Sequence, residues 1–126
     1  MERKVINVAG APPLPFSPAI KAGDYIFVSG QVGHVDAQGK ELRGVPLQVR
    51  QCLENMKRVL EAAGASMEDV VKVTVFLRSE ADFAKMNEVY RQYFTNSLPA
   101  RSTVIAGLAL PAMLVEIDAI AYSPGT

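Results

Sequence analysis

The sequence predicts an α+β two-layer sandwich, a mixed sheet of about six strands with two helices on one face. Three observations carry that prediction. The stretches 45–63 and 80–94 place apolar residues at helical spacing. The runs around them are rich in β-branched and aromatic residues. Two helices of this length can cover only one face of such a sheet. The 126 residues are expected to form a single domain, burying roughly two-thirds of the unfolded surface.

The elements follow in order. Lys4–Val8 suits a short strand. Four prolines between Pro12 and Pro18 then remove backbone donors and fix φ, giving a rigid loop that either holds Phe16 and Ser17 in place or is simply a connection. Ile20–Ala22, a Gly23-Asp24 turn and Tyr25–Val28 read as a hairpin. It runs into Ser29-Gly30-Gln31, where a glycine lets the backbone approach another group. Gly33–Gly44 is polar and turn-rich, a surface loop whose His34 is expected to face solvent. In the first helix Val49, Cys52, Leu53, Met56, Val59, Leu60 and Ala63 share one face, and Gly64 ends it. Cys52 is thus expected to be a small buried hydrophobe.

Val70–Leu77 reads as a central strand. Its alternate sets, Val71, Val73, Val75 and Leu77 against Val70 and Phe76, are both largely apolar, so both faces are expected to be covered. One helical layer cannot do that, which points to a homo-oligomer whose sheets pack together. The second helix is expected over Glu80–Phe94 with Ser79 as its cap. Its apolar face carries Phe83, Met86, Tyr90, Tyr93 and Phe94, and also Asn87, whose amide needs either a neighbouring loop or a ligand as partner. Pro99 stops that helix and starts a strand at Arg101. Leu114–Ala121 alternates, so Glu116 and Asp118 share a face. Paired as a hairpin, these last two runs would bring a guanidinium and carboxylates together, as a structural ion pair or as a site for a small acid.

Thirteen basic side chains balance thirteen acidic ones, without the basic stripe that nucleic acid or an anionic membrane would need. The amino-terminal residues do not read as a signal peptide and no run has transmembrane length. With one cysteine there is no intrachain disulfide, and a cytoplasmic location is expected. A glycine-rich phosphate loop, a metal-ligand cluster and a nucleophile elbow are all missing from the sequence. What remains is Arg101, an acid, the hydroxyls of Ser29, Ser102 and Thr103, the Asn87 amide and the Phe16 ring. That set can bind a small carboxylate and place a water beside it.

The residues Ser29-Gly30-Gln31, Asn55-Met56 with Leu60–Gly64, Val71–Leu77, Asp82-Phe83, Asn87–Tyr90 with Tyr93-Phe94, Pro99–Thr103 and Val115–Ile117 with Ala119–Ala121 resemble the RidA/YjgF family of reactive-intermediate deaminases over nearly the whole chain. The resemblance implies a chorismate-mutase-like fold, a homotrimer with sites between subunits, and no metal or organic cofactor. It implies hydrolysis of 2-imino acids and their enamine tautomers, such as 2-iminopropanoate and 2-iminobutanoate, to 2-keto acids and ammonia. By motif, Arg101 would hold the substrate carboxylate and Glu116 would orient or activate water. Ser29, Asn87, Phe16 and Thr103 would line the pocket, with backbone groups near Arg101 and Thr103 holding the imine nitrogen. Two departures stand out. Phe16 replaces a tyrosine of many relatives, and Thr103 stands where some carry cysteine. A binding or sensing protein for small carboxylates is the alternative. A ribonuclease or translation inhibitor, an activity attributed to some relatives, sits poorly with the neutral charge balance.

Overall fold

The structure is a computed structural model describing residues 2–125. Its strands are β1 (Arg3–Ile6), β2 (Ala19–Ala22), β3 (Tyr25–Val32), β4 (Val70–Leu77), β5 (Ala100–Ile105) and β6 (Val115–Tyr122), and its helices are α1 (Val45–Ala62) and α2 (Phe83–Tyr93). The six strands form one sheet in the order β1-β2-β3-β6-β4-β5. Only β4 and β5 run parallel, because the crossover through α2 returns the chain to the same end of the sheet. Both helices lie on one face, as the composition of their apolar stripes requires. Val49, Cys52, Leu53, Met56 and Leu60 of α1 and Met86 of α2 are fully buried against Ile26, Val73, Val75, Leu77, Val115 and Ile117. Among the described residues no helix is long and apolar enough to cross a membrane.

The β2–β3 hairpin forms about Gly23, whose φ of 61° is readily reached only without a side chain. Four expectations need correction. The closing pair of strands is not a hairpin: β5 pairs with β4 alone, while β6 lies between β3 and β4. Alternation along β4 breaks at its start, since a bulge between Val70 and Lys72 turns Val70 inward at 4% exposure and leaves Val71 at 44% on the outer face. The second helix opens with a 3₁₀ turn, Glu80–Asp82, whose Ala81 N–H donates to Ser79 Oγ, and becomes α-helical only at Phe83. His34 is half-buried, and its Nδ1 is shielded from solvent without a hydrogen-bond partner among the described residues. Cys52 is buried as expected, and burial pushes its thiol pKa far up, leaving an unreactive group.

Gln48 carries no signal in the sequence yet ties three segments together. It is 1% exposed; its Nε2 donates to the carbonyls of Leu42 (3.0 Å) and Ala112 (2.9 Å), and its Oε1 accepts from Leu114 N–H (2.9 Å). A single amide thereby holds the loop before α1 and the approach to β6. Gln48→Met keeps the volume and strands all three backbone groups, so urea denaturation is expected to show a loss of about 3 kcal/mol; a loss under about 0.5 kcal/mol would mean those groups find water instead.

Candidate functional site

Arg101 lies on the helix-facing side of β5, paired in register with Val73. Because β5 is the sheet's edge, this position is only half-covered, and the guanidinium rests on α2. Its Cζ is 4.7 Å from the Tyr90 ring centroid and 5.9 Å from that of Phe83, and one Nη reaches Met86 Sδ at 4.0 Å. Such stacking suits a weakly hydrated planar cation. No carboxylate among the described residues lies within salt-bridge distance of it. Asn87, Tyr90, Phe94, Thr95 and Leu98 complete an open groove of about 550 Å³ around it. Asn87 is thus brought to Arg101, one turn before Tyr90 on the same side of α2. Thr103 sits two residues along β5 on the same face, half-buried. The Ala106 N–H returns to the Leu77 carbonyl, so by alternation the backbone groups of Arg101 and Thr103 point off the free edge.

The other candidates gather elsewhere. Glu116, Asp118 and Ile120 face the opposite, helix-free side of the sheet with Thr74 and Phe76. Glu116 lies two strand spacings from β5, roughly 10 Å across the sheet, and on its other face. Its carboxylate covers Gly30, where an added Cβ would collide with it; the glycine inferred to admit a close approach admits this one. The bulge between Val28 and Gln31 creates the room. Ser29 Oγ donates to the Ser17 carbonyl at 2.6 Å, and Ser29 N–H donates to Pro18 O at 2.9 Å. Ser29 therefore anchors the proline-rich loop that carries Phe16, a residue 55% exposed.

Electrostatics separates the two groups further. Partial burial, and then the Asp118 charge, raises the Glu116 pKa above the usual 4.5. A somewhat larger groove of about 580 Å³ lies between the carboxyl-terminal ends of the helices, lined by residues including Lys57, Glu61, Tyr93 and Asn96. Its phenol is already engaged, Tyr93 Oη donating to Glu54 at 2.6 Å with its pKa pushed up to about 12, and the groove adjoins that of Arg101 at Phe94 and Thr95 without being lined by Arg101 or Asn87. Among the described residues, no group of three His, Cys, Asp or Glu is arranged to hold a metal. The structure thus brings together Arg101, Asn87 and Thr103 on one side and Phe16, Ser29 and Glu116 on the other, and it does not join the two sets within one chain. The sequence reading missed Phe83 and Tyr90 as supports of Arg101; their only signal was helical spacing from Asn87, which placed them in the core.

Residues 7–123 match the family described as Endoribonuclease L-PSP. A RutC family protein of Pyrococcus horikoshii is 49% identical over 95% of this chain and 98% of its own. A mouse protein named 2-iminobutanoate/2-iminopropanoate deaminase is 40% identical over 94% of this chain and 90% of its own. The crystal structure of RidA from an Antarctic Psychrobacter superposes with a TM-score of 0.86 at 38% identity, covering 94% of this chain and 98% of that one. With a family match across nearly its whole length and relatives above 40% identity, the chain belongs to the Endoribonuclease L-PSP family, the RidA/YjgF family whose motifs it carries.

Proposed function

We propose that the protein hydrolyses small 2-imino acids to 2-keto acids and ammonia at a site formed between subunits of a homotrimer. The observation that carries this reading is Arg101: a half-buried cation without a carboxylate partner among the described residues, held on two aromatic rings beside an amide and a groove. A small carboxylate suits that site, because it satisfies the guanidinium's fork and leaves its own remaining lone pairs for neighbouring donors. The name of the mouse relative supports the imine as substrate.

In the proposed reaction Arg101 binds the carboxylate and Glu116 of an adjacent subunit accepts a proton from water as it attacks the imine carbon. The carbinolamine that forms from the protonated imine takes that proton back from Glu116 on nitrogen, and as its hydroxyl proton passes to Glu116 the C–N bond breaks to give ketone and ammonia. Glu116 suits the base because its pKa is raised toward neutrality. Phe16 and Ser29 border that side, Ser29 by holding the loop. Two half-sites on opposite faces can meet through a head-to-tail contact, and such a contact gives a ring when its rotation closes. The outer sheet face, with Tyr25, Phe27, Val71, Val104 and Tyr122 each above 40% exposed, is apolar enough to be covered in that ring.

Three measurements test this reading. Light scattering is expected to give three times the 13.6 kDa chain mass; a monomer would overturn it. With a dehydratase supplying 2-iminopropanoate, Arg101→Ala is expected to raise KM by roughly a hundredfold, and Glu116→Gln to cut kcat by about 10²–10⁴ while ketoacid binding persists. Turnover by Glu116→Gln at the native rate would remove the acid from the mechanism, and binding without turnover in the native protein would favour the sensing alternative. The pH dependence has a definite sign. The base must be ionised, so kcat is expected to fall on acidification with a midpoint above 4.5. The kcat/KM midpoint is expected lower, because in the free protein Arg101 is not yet neutralised by substrate. In folding the sign is opposite: a raised folded-state pKa makes a contribution present below the ordinary glutamate range and lost as pH rises through the folded value. Glu116→Gln is therefore expected to melt slightly higher at neutral pH.

A further inference from the structure

Tyr90 is 7% exposed, and its phenolic oxygen is shielded from solvent without a hydrogen-bond partner among the described residues. Buried hydroxyls left this way are uncommon, because their lost hydration is not made good. The surroundings explain why nothing among the described residues takes the proton. Arg101 lies over the ring, and its charge, then a hydrogen-bonding approach of its guanidinium to the phenol oxygen, draw the phenol's pKa down against the larger upward push of burial, though no hydrogen bond of good geometry closes between them. A guanidinium has five donors and no acceptor, so even a closer approach would leave the phenolic hydrogen unused. Met86 Sδ, which the guanidinium itself approaches, is only a weak acceptor.

We infer that Tyr90 is a second donor to the carboxylate that Arg101 binds, its O–H supplying the hydrogen bond that completes the anion's grip. This rests on the reading of Arg101 as the carboxylate-binding group. A carboxylate accepts at about four positions, two of which a bidentate arginine occupies. Tyr90 and Asn87 sit one helical turn apart on α2, both lining the groove with Arg101, so both can reach the remaining ones. The guanidinium has no ion pair holding it down among the described residues, and its shift from the ring toward an anion uncovers the hydroxyl beneath. With burial raising its pKa, the phenol keeps its proton throughout the neutral range. Tyr90 thereby acts twice, its ring as the seat of the cation and its hydroxyl as part of the anion's shell.

The test compares pyruvate binding by calorimetry in the native protein, Tyr90→Phe and Arg101→Ala, with melting temperature and oligomer mass measured on each. Tyr90→Phe keeps the ring and deletes only the hydroxyl. The expected result is a Kd for pyruvate raised roughly tenfold or more, the worth of one charge-assisted hydrogen bond, with oligomer mass unchanged and melting temperature equal or higher. Native-like pyruvate binding by Tyr90→Phe overturns the inference while the carboxylate site stands. Weaker binding accompanied by a lower melting temperature or a smaller mass also overturns it, by making the hydroxyl structural. Should the native protein and Arg101→Ala both fail to bind pyruvate, the carboxylate reading itself falls and takes this inference with it.

Discussion

The structure depends on where β6 goes. A strand leaving β5 at the carboxyl-terminal end of a parallel pair could turn back along β5's free edge; here it crosses the end of β4 and pairs between β3 and β4. The loop over 106–114 that makes this crossing is pinned by Arg78, the residue that follows β4. Its Nε donates to Met113 O at 2.9 Å and its Nη2 to Leu110 O at 2.8 Å, while Gln48 holds Ala112 and Leu114 from the helix side. β6 then joins the antiparallel meander of the amino-terminal strands to the β4-α2-β5 crossover. One continuous core results, and β5 is left on the edge.

That edge position governs Arg101. In a central strand its guanidinium would be desolvated beneath the helices at a cost of several kcal/mol with no partner to offset it. At the edge, its guanidinium rests on Met86, Phe83 and Tyr90 while the side chain stays half-exposed. On the far face Glu116 is held against Gly30 by the bulge in β3, partly desolvated and beside Asp118. Among the described residues neither charge has an oppositely charged partner. Both are therefore kept in states that respond to a ligand, the cation to an anion and the acid to a proton.

Much of the fold was legible because it follows from periodicity. The α1 stripe, the β2–β3 turn at Gly23-Asp24 and the alternation of β6 depend on neighbours three, four or two residues away, and the structure matches each. The errors fall where position depends on distant segments. Arg101 and Glu116 were expected to meet because their strands are consecutive, and adjacency in sequence carries no information about a strand inserted between them. Val70 and Val71 exchanged faces at a bulge that hydrophobicity cannot reveal, since both residues are valine. Asn87 was recognised as an amide needing a partner, and Arg101 as a cation needing an anion. That they share a groove follows from the parallel crossover, which sets α2 above β5.

The chemistry proposed for the site tightens this geometry into a condition. In a 2-imino acid the reacting carbon is bonded directly to the carboxylate, so a water attacking it must lie within a few ångströms of whatever grips that carboxylate. Arg101 and Glu116 of one chain are separated by two strand spacings, roughly 10 Å, with the sheet's backbone between them. No rotamer of either side chain reaches around β4. If both groups serve one reaction, the acid beside Arg101 comes from another copy, and an isolated chain holds two incomplete halves. The same requirement accounts for the outer face: Tyr25, Phe27, Val71, Val104 and Tyr122, left exposed on the side of the sheet that carries Glu116, would be a liability in a lone chain, and in the proposed ring they are the surface that brings the second copy's arginine into range.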